Sequence, residues 1–511
     1  MSSLFAVVVI LGILSFIAPP SLFPDPTNGF LVMRSMEMGG QFNMMVTPDQ
    51  ADFSKNASEF LTWWSPGQYL APYAFKLIFS VNSGQASALT VLLCQLLGLS
   101  GFYSFFKKVG FTPFIAALSV LFIACQQFFV VPYVFYNGGE ILSFAFTGWF
   151  LYGCVVFNRP SWQMMLFILI SGLIGFFCKS STMWVFAAGL LFIWIRLSSP
   201  NKNLISWIKN GIWIAIPAII ALGVIYLSFL SKGQNPASAS AGLKLTLKTF
   251  AFPLASPLLS GFSIDDICHG LIYHTGKAIF SDWQAILILI LLAILSLWLI
   301  RTIQKKVPDQ NYRLLIIIFY AVGFIFFSYV YLMQKAISYE GRHFRVIGLL
   351  VIPGAIYLFW QVKTPYRHLL CIIWAIIAFT SIWYLVKGYR YNKNKSAHGI
   401  SGIAQQNIDQ TALDKVMAID NQVHNATFVF VNKELGLEIK NNRILGFEAI
   451  GDDLRIDIDD YLHDGHAGPL YIILPDNYAG PKEKFILKSF PDYKHWYGDK
   501  LSDKYVIYKA L

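Results

Sequence analysis

The sequence predicts an α-helical polytopic membrane protein with a small α/β domain at its C-terminus. Three observations lead to this fold class. Of the 511 residues, 56% are apolar and only 13% are charged, and the mean hydropathy is +0.55, as in chains that lie mostly in lipid. Apolar runs of about twenty residues, the length that crosses hydrocarbon, recur along residues 1–387. From residue 388 to 511 the composition becomes polar and charged.

The apolar runs predict about eleven transmembrane helices. They begin near Ser3, Ala86, Phe111, Gly139, Trp162, Ser181, Gly211, Trp283, Leu314, Val346 and Leu369. The first run, within residues 1–19, lacks the basic segment and the small-x-small cleavage site of a signal peptide, so we expect a retained anchor. The six cysteines support neither a disulfide framework nor a zinc site.

The positions of the basic residues predict the orientation of the helices. If the N-terminus is cytoplasmic, every short cytoplasmic loop is basic, as the positive-inside rule requires. These loops contain Lys107, Lys108, Arg159, Arg196, Lys202, Lys209, Arg301, Lys305, Lys306, Arg313, Lys363 and Arg367. The net charge of +11 is therefore attributed to membrane orientation, and no nucleic-acid partner is expected. The same orientation requires residues 66–81 to lie along the outer leaflet without crossing.

Three longer pieces then fall on the outer side, at about residues 20–85, 231–281 and 388–511. The last has helical periodicity at 411–423 and a predicted helix at 481–490. Buried-strand patterns occur at 427–431, 470–476 and 505–508. We therefore predict a catalytic transmembrane domain over 1–387 and an extracytoplasmic α/β domain over 388–511.

Ionisable residues from distant segments converge at the outer membrane interface in this topology. They are Asp25, Glu140, Lys179, Tyr339, Arg342, His343 and Arg345. Charged groups at membrane depth are costly unless they are paired or functional. Their convergence predicts an active site at the membrane surface.

Each of these residues also has a structural alternative. Asp25 lies between two prolines and is a standard turn residue, whereas Glu140 follows two glycines and is placed to cap a helix N-terminus. Lys179 could extend to lipid headgroups from a helix end. Arg342 and Arg345 could bind anionic lipid.

Two further groups of residues have weaker signals. Trp63 and Trp64 are typical of an interfacial aromatic belt, and stacking against a sugar is the alternative. Asp265, Asp266, His269 and His274 have the chemistry of metal ligands but no recognised spacing. We therefore expect these four residues in a solvated loop and predict no metal site, without excluding a divalent metal.

The order of these features resembles the GT-C superfamily of polytopic glycosyltransferases. The branch concerned contains the protein O-mannosyltransferases and the aminoarabinose transferases that modify lipid A. The resemblance rests on an acid after the first span, a Trp-rich Pro-Gly stretch closing the first outer loop and a lysine between two helices. A late arginine-rich outer turn and a C-terminal outer domain complete it. In Phe23-Pro24-Asp25-Pro26 a single acid stands where mannosyltransferases have an Asp-Glu pair.

The resemblance implies a sugar carried on polyprenyl phosphate, transferred with inversion to an acceptor hydroxyl on the outer face of a bacterial inner membrane. Asp25 is then the expected general base, and Glu140 orients the acceptor. Lys179, Arg342, His343 and Arg345 hold the donor phosphate, while Trp63, Trp64 and Tyr339 contact substrate. The acceptor stays open among lipid A, polysaccharide, glycolipid and protein.

Two other classes of function compete with this one. A transporter or flippase of lipid-linked glycans would share the span number and the interfacial arginines, but it is expected to show an internal repeat or charges near the bilayer midplane. A membrane-anchored scaffold would use the tail to recruit an envelope partner. It would leave the convergence of Asp25, Lys179 and Arg342 unexplained.

Overall fold

The computed structural model describes residues 1–200, 203–235, 239–267, 280–447, 450 and 457–511. The helices of the membrane region are α1 (Ser2–Ile17), α2 (Pro24–Glu37), α3 (Gly67–Phe79), α4 (Ser83–Lys108), α5 (Pro113–Ala124), α6 (Gln127–Val130), α7 (Gly139–Val156), α8 (Trp162–Cys178), α9 (Thr182–Ser198), α10 (Leu204–Ser228), α11 (Leu247–Gly261), α12 (Ile264–Ile267), α13 (Asp282–Lys306), α14 (Gln310–Leu332), α15 (Arg345–Gln361) and α16 (Thr364–Asn394). The same region contains the short strands β1 (Ser21–Leu22), β2 (Met44–Pro48), β3 (Asn56–Phe60) and β4 (Phe135–Tyr136).

The chain is a multi-pass membrane protein. Within the described ranges seven helices are long and apolar enough to cross a bilayer, namely α4, α7, α10, α13, α14, α15 and α16. The pair α5 and α6 is bent by 69° and makes an eighth if it is one span, while α1, α8 and α9 are apolar but shorter. Each of the eleven predicted runs falls on one of these helices. The number of crossings stays a prediction.

Helices α4 and α7 approach each other closely. A Cβ atom at Gly101 of α4 would lie 2.9 Å from the backbone nitrogen of Trp149, and one at Gly148 of α7 would lie 2.8 Å from the backbone nitrogen of Phe102. Small residues facing each other let two helix backbones approach in this way. The contact fixes α7, whose first turn carries Glu140.

The segment predicted as the first outer loop, about residues 20–85, contains helices and strands along its length. It is called the first outer loop below. Strand β1 pairs in parallel with β4, and α2 follows directly. Strands β2 and β3 form an antiparallel hairpin. Helix α3 has 13 residues, about 20 Å at 1.5 Å per residue, which is less than the hydrocarbon thickness of about 30 Å. Its Lys76 pairs with Glu37 at the end of α2.

The predicted outer loop at 231–281 needs a correction, because it contains the buried helix α11. Thr246 and Thr249 form a capping box at its start. Ala251, Phe252 and Leu259 are buried where α11 packs against α13, α14 and α15. Prolines within the helix, at 253 and 257, gave the sequence its loop-like composition.

The C-terminal domain is the predicted small α/β unit. It contains β5 (Ala397–His398), β6 (Ala404–Gln405), α17 (Gln410–Gln422), β7 (Thr427–Phe430), β8 (Arg443–Gly446), β9 (Leu470–Pro475), α18 (Pro481–Lys488), β10 (Tyr497–Lys500) and β11 (Tyr505–Ala510). Five strands form one sheet in the order β10-β11-β9-β7-β8. Strand β7 is parallel to β8 and β9, and β11 is antiparallel to β9. Because α16 continues to Asn394, the C-terminal domain begins after that residue.

The first outer loop and the C-terminal domain are packed together. Phe53, at the tip of the β2–β3 hairpin, is fully buried against Phe490 and Tyr493 of the domain. On α2, Arg34 donates from Nε to the carbonyl of Ile439 at 2.7 Å and from Nη2 to that of Asn442 at 2.8 Å. The loop is therefore held at its hairpin and at its helix.

Candidate functional site

The pairing of β1 with β4 brings two acids from distant segments to one place. The register Leu22 to Tyr136 is followed by a hydrogen bond from the backbone nitrogen of Phe23 to the carbonyl of Tyr136. Two residues after Phe23, Asp25 lies in the first turn of α2. Glu140 lies in the first turn of α7. Helix N-termini favour carboxylates, so a purely structural role would explain why Asp25 and Glu140 lie at helix starts. It would not explain the ion pairs that they make.

Glu140 is the centre of an ion-pair cluster. Its Oε1 is 2.7 Å from Nζ of Lys179 and 3.4 Å from Nη1 of Arg342. Lys179 is the C-cap residue that follows α8. Gly139 lets it approach, because a Cβ at Gly139 would lie 3.1 Å from the Lys179 side chain. The same Nη1 of Arg342 is 3.6 Å from Oδ2 of Asp25. Four separate segments thus meet through three ion pairs.

Arg342 is held on further sides. It lies in a 3₁₀ turn from Gly341 to Phe344, its Nε pairs with Glu340, and its guanidinium lies 5.6 Å from the ring centroid of Phe23. His343 on the same turn has its Nε2 3.4 Å from Oγ of Ser338. The turn therefore presents Arg342 to both acids.

Asp265 and Asp266 belong to this site, so the prediction of a solvated loop is wrong for them. Asp266 accepts a two-pronged contact from Arg345, with both N–O distances 3.1 Å. Arg345 also donates to the carbonyl of Ser260 at 3.0 Å. Asp265 accepts from the backbone N–H of Gly341 at 2.6 Å. His269 and His274 lie outside the described residues.

Burial shifts the pKa values of two of these acids upwards. It raises the pKa of Asp265 to about 6, against the lowering effect of the Gly341 N–H. It also raises the pKa of Asp25, since desolvation exceeds the lowering by Arg342, and Glu140 raises the pKa further. A carboxyl group with a raised pKa is a stronger proton acceptor when ionised.

The cluster lines a cavity of about 460 Å³. Of the predicted site residues, the structure places Glu140, Lys179, Arg342, His343 and Arg345 in its wall. Apolar and aromatic side chains line most of the remainder, among them Phe23, Phe128, Phe144, Trp184 and Leu349. A cavity of this kind, mostly apolar with a few convergent charges, is typical of a small-molecule site.

Two side-chain amide oxygens of residues in the cavity wall have no hydrogen-bond partner among the described atoms. They are Oε1 of Gln95, whose Nε2 donates to the carbonyl of Phe129 at 2.7 Å, and Oδ1 of Asn137. Buried acceptors left unpaired are costly.

The three predicted aromatic contacts lie apart from this cavity. Trp63 is exposed and packs on Trp64, with ring centroids 5.3 Å apart. Tyr339 stacks on Tyr331 at 4.0 Å and faces a second groove. None of the three lines the cavity, and their role in substrate binding stays a prediction.

Carboxylates outnumber permanent cations at this site. The acids are Asp25, Glu140, Asp265, Asp266 and Glu340, and the cations are Lys179, Arg342 and Arg345. Over the described ranges no three His, Cys, Asp or Glu side chains are grouped to hold a metal ion. An anion entering the cavity therefore has to displace carboxylates from the cations.

Four site residues were not predicted from the sequence. Asp265 and Asp266 lay in a region read as loop, and Glu340 was part of the Tyr339–Arg345 run but received no role. Gln95 lies within the apolar helix α4. A polar amide in the middle of an apolar run was the available signal for Gln95.

The fold is similar to those of ArnT and of the arabinofuranosyltransferase AftD. The structure of ArnT from Cupriavidus metallidurans bound to undecaprenyl phosphate superposes with a TM-score of 0.54 at 11% identity, covering 99% of this chain and 97% of that one. ArnT in the apo state gives 0.52 at 12% identity, with the same coverage. The arabinofuranosyltransferase AftD from Mycobacteria gives 0.50 at 10% identity, covering 99% of this chain and 40% of that one. No family model and no curated protein matches the sequence.

Proposed function

We propose that the protein is an integral-membrane glycosyltransferase that moves a sugar from a polyprenyl-phosphate donor to an acceptor hydroxyl. The observation that carries the proposal is the ion-pair cluster of Asp25, Glu140, Lys179 and Arg342. Glu140, Lys179 and Arg342 line the cavity, and Asp25 contacts Arg342 from outside its wall. The fold shared with ArnT, whose structure contains undecaprenyl phosphate, supports this donor class. The reaction belongs to the outer face of a bacterial inner membrane.

The residue types match the steps of this reaction. The acceptor oxygen forms a bond to the anomeric carbon while the bond from that carbon to the phosphate oxygen breaks. The configuration at the anomeric carbon is therefore inverted. Asp25 takes the proton of the acceptor hydroxyl. The leaving polyprenyl phosphate gains negative charge, which Lys179 and Arg342 stabilise.

Glu140 has a positioning role in this scheme. It contacts both Lys179 and Arg342 and so sets the spacing of the two cations that receive the phosphate. Arg345 is more strongly engaged, because Asp266 and the Ser260 carbonyl occupy its guanidinium. Lys179 and Arg342 are therefore the first contacts for the phosphate, and Arg345 joins them only if Asp266 moves.

The position of the charges favours a transferase over a transporter. Glu140 and Arg345 lie in the first turns of α7 and α15, at helix ends. A transporter site is expected near the bilayer midplane, at interrupted helices.

The first test is binding of undecaprenyl phosphate to the purified protein in nanodiscs. Arg342→Ala removes a charge-assisted contact of roughly 2 kcal/mol, so affinity should fall about thirtyfold. Glu340→Gln should act in the opposite direction and tighten binding, because it removes one carboxylate that competes for Arg342.

Arg301→Ala on α13 is the matched control, since Arg301 is exposed and belongs to a predicted cytoplasmic loop. Folded protein is quantified for each variant by size-exclusion chromatography. Equal affinity in the wild type and Arg342→Ala contradicts the phosphate assignment, as does an equal loss in Arg301→Ala.

A further inference from the structure

Helix α2 connects the candidate general base to the C-terminal domain. Asp25 lies in its first turn and Arg34 in its last turn, about 14 Å apart along the helix axis at 1.5 Å per residue. Every residue of α2 from 26 to 35 is buried. Neighbouring elements therefore enclose the helix, and a displacement of its last turn is passed along it to its first.

Two different parts of the protein enclose α2. In the first part, Phe30 packs edge-to-face on Tyr136 of β4, with ring centroids 5.7 Å apart. In the second, the 3₁₀ turn from Lys433 to Glu438 lies directly against the helix, since a Cβ atom at Gly436 would lie 3.1 Å from the Leu31 side chain. The C-terminal domain thus forms part of the wall around α2.

Arg34 makes the polar contact of α2 with this domain. Its side chain is 5% exposed, and it donates to the carbonyls of Ile439 and Asn442. The accepting turn is itself fixed, because Asp420 accepts from the backbone nitrogen of Lys440 at 2.7 Å and from Nδ2 of Asn442 at 2.8 Å. A buried guanidinium is costly unless its N–H groups are paired. The last turn of α2 is therefore stable in this position only when the domain is docked.

We propose that Arg34 is a positioning residue through which the C-terminal domain sets the place of Asp25 relative to Arg342. The inference rests on the proposed function, in which Asp25 is the general base. Asp25 and Arg342 are 3.6 Å apart, beyond the usual hydrogen-bond distance, so a small shift of α2 makes or breaks their contact. A misplacement of about 1 Å can cost about a hundredfold in rate. The domain therefore contributes to catalysis although none of its described residues lines the cavity.

Hydrogen–deuterium exchange of the full chain in nanodiscs tests this coupling without any substrate. Arg34→Met should raise amide exchange along α2, including residues 27–30 next to Asp25. Arg34→Lys keeps the charge but cannot bridge both carbonyls, so it should give smaller changes of the same kind in folded protein.

Arg443→Gln is the matched control. Arg443 also crosses between the C-terminal domain and the first outer loop, but it contacts the hairpin, donating to the Phe53 carbonyl at 2.8 Å and to Oδ1 of Asn56 at 2.9 Å. Its loss should raise exchange in the hairpin, at residues 44–60, and leave residues 27–30 unchanged.

Carbodiimide labelling of Asp25 gives a second readout, at the base itself. The reagent activates the protonated carboxyl group, which glycine ethyl ester then captures, and mass spectrometry measures the product at each pH. Burial raises the pKa of Asp25, and Arg342 opposes that rise. Moving Asp25 away from Arg342 should therefore extend its labelling to higher pH. Arg34→Met should show this extension, and Arg443→Gln should not.

Kinetics separate positioning from donor binding. With the undecaprenyl-phosphate sugar that the wild type turns over, Arg34→Met should lower kcat about tenfold to a hundredfold. Its affinity for undecaprenyl phosphate should equal that of the wild type. In an Asp25→Asn background the same substitution should cause no further loss of kcat.

The outcomes distinguish this inference from the proposed function. Wild-type exchange at residues 27–30 and wild-type labelling of Asp25 in Arg34→Met overturn the inference, as do equal effects of Arg34→Met and Arg443→Gln. Absence of undecaprenyl phosphate binding in the wild type contradicts the proposed function instead. Exchange and labelling need no donor, so they still decide whether Arg34 positions Asp25.

Discussion

At the scale of single residues, the strongest expectation concerns Asp25. It is half-exposed, with 41% of its side chain accessible, and lies 3.6 Å from Arg342. Asp25→Asn keeps its shape but removes its proton affinity. Turnover should fall by about a hundredfold to ten-thousandfold, with little change in donor affinity. The measurement is sugar transfer from a polyprenyl-phosphate donor at matched folded concentration.

The pH profile gives the same test a second readout. A base acts only when ionised, so turnover should rise with pH through the pKa of Asp25, which lies above the ordinary value of 3.8. Asp49→Asn is the control, because Asp49 accepts from the Ala51 and Asp52 backbones in the hairpin loop. Near wild-type turnover in Asp25→Asn would contradict the assignment of Asp25 as the general base.

The sequence allowed part of this site to be predicted, and the reason is physical. Asp25, Glu140, Lys179 and Arg342 are charged residues in apolar surroundings, so the cost of burying charge marked them individually. The sequence did not indicate which of them pair with one another, or that Asp266 and Glu340 join the site. The pairing of Asp266 with Arg345 depends on the tertiary position of α12, which local composition does not contain.

At the scale of elements, the short helix α12 carries a testable charge. Burial in the folded protein raises the pKa of Asp265 to about 6, so folding favours the neutral carboxyl. The contribution of this group to the stability of the folded protein is lost as pH rises through about 6. Asp265→Asn removes the buried charge and still accepts from Gly341. Above pH 7 the variant should be more stable than the wild type by about 1 kcal/mol, and near pH 4 this advantage should vanish.

Thermal unfolding in nanodiscs at pH 4, 6 and 8 measures this difference. Asp503→Asn, an exposed position in the C-terminal domain, should show none of the pH dependence. A constant difference between Asp265→Asn and the wild type at all three pH values would contradict the buried-charge argument.

The helices differed in how well their sequence patterns predicted them. Long apolar helices such as α10 and α13 were visible from composition alone. Helix α11 was hidden because prolines, which usually end helices, occur twice within it. Neighbouring helices compensate by burying its Ala and Phe residues, and this is a tertiary effect.

At the scale of the whole molecule, the basic loops predict which compartment each end faces. In a background with all six native cysteines replaced by Ser, a cysteine at Lys494 should react with an impermeant maleimide in spheroplasts. A cysteine at Lys305 should react only after the inner membrane is permeabilised. The reverse pattern would invert the topology and place the proposed site on the cytoplasmic face.

The contacts of α2 with the C-terminal domain have a consequence for biogenesis. The hydrogen bond of Arg34 can form only after a carbonyl 408 residues further along the chain has been synthesised. This synthesis takes about 20–80 seconds at 5–20 residues per second. Until then Phe53 lacks its partners Phe490 and Tyr493, and α2 lacks its hydrogen bonds to the C-terminal domain. A stalled or truncated chain would insert its membrane helices yet leave its first outer loop unanchored. Anchoring of the first outer loop therefore has to follow synthesis of the C-terminal domain.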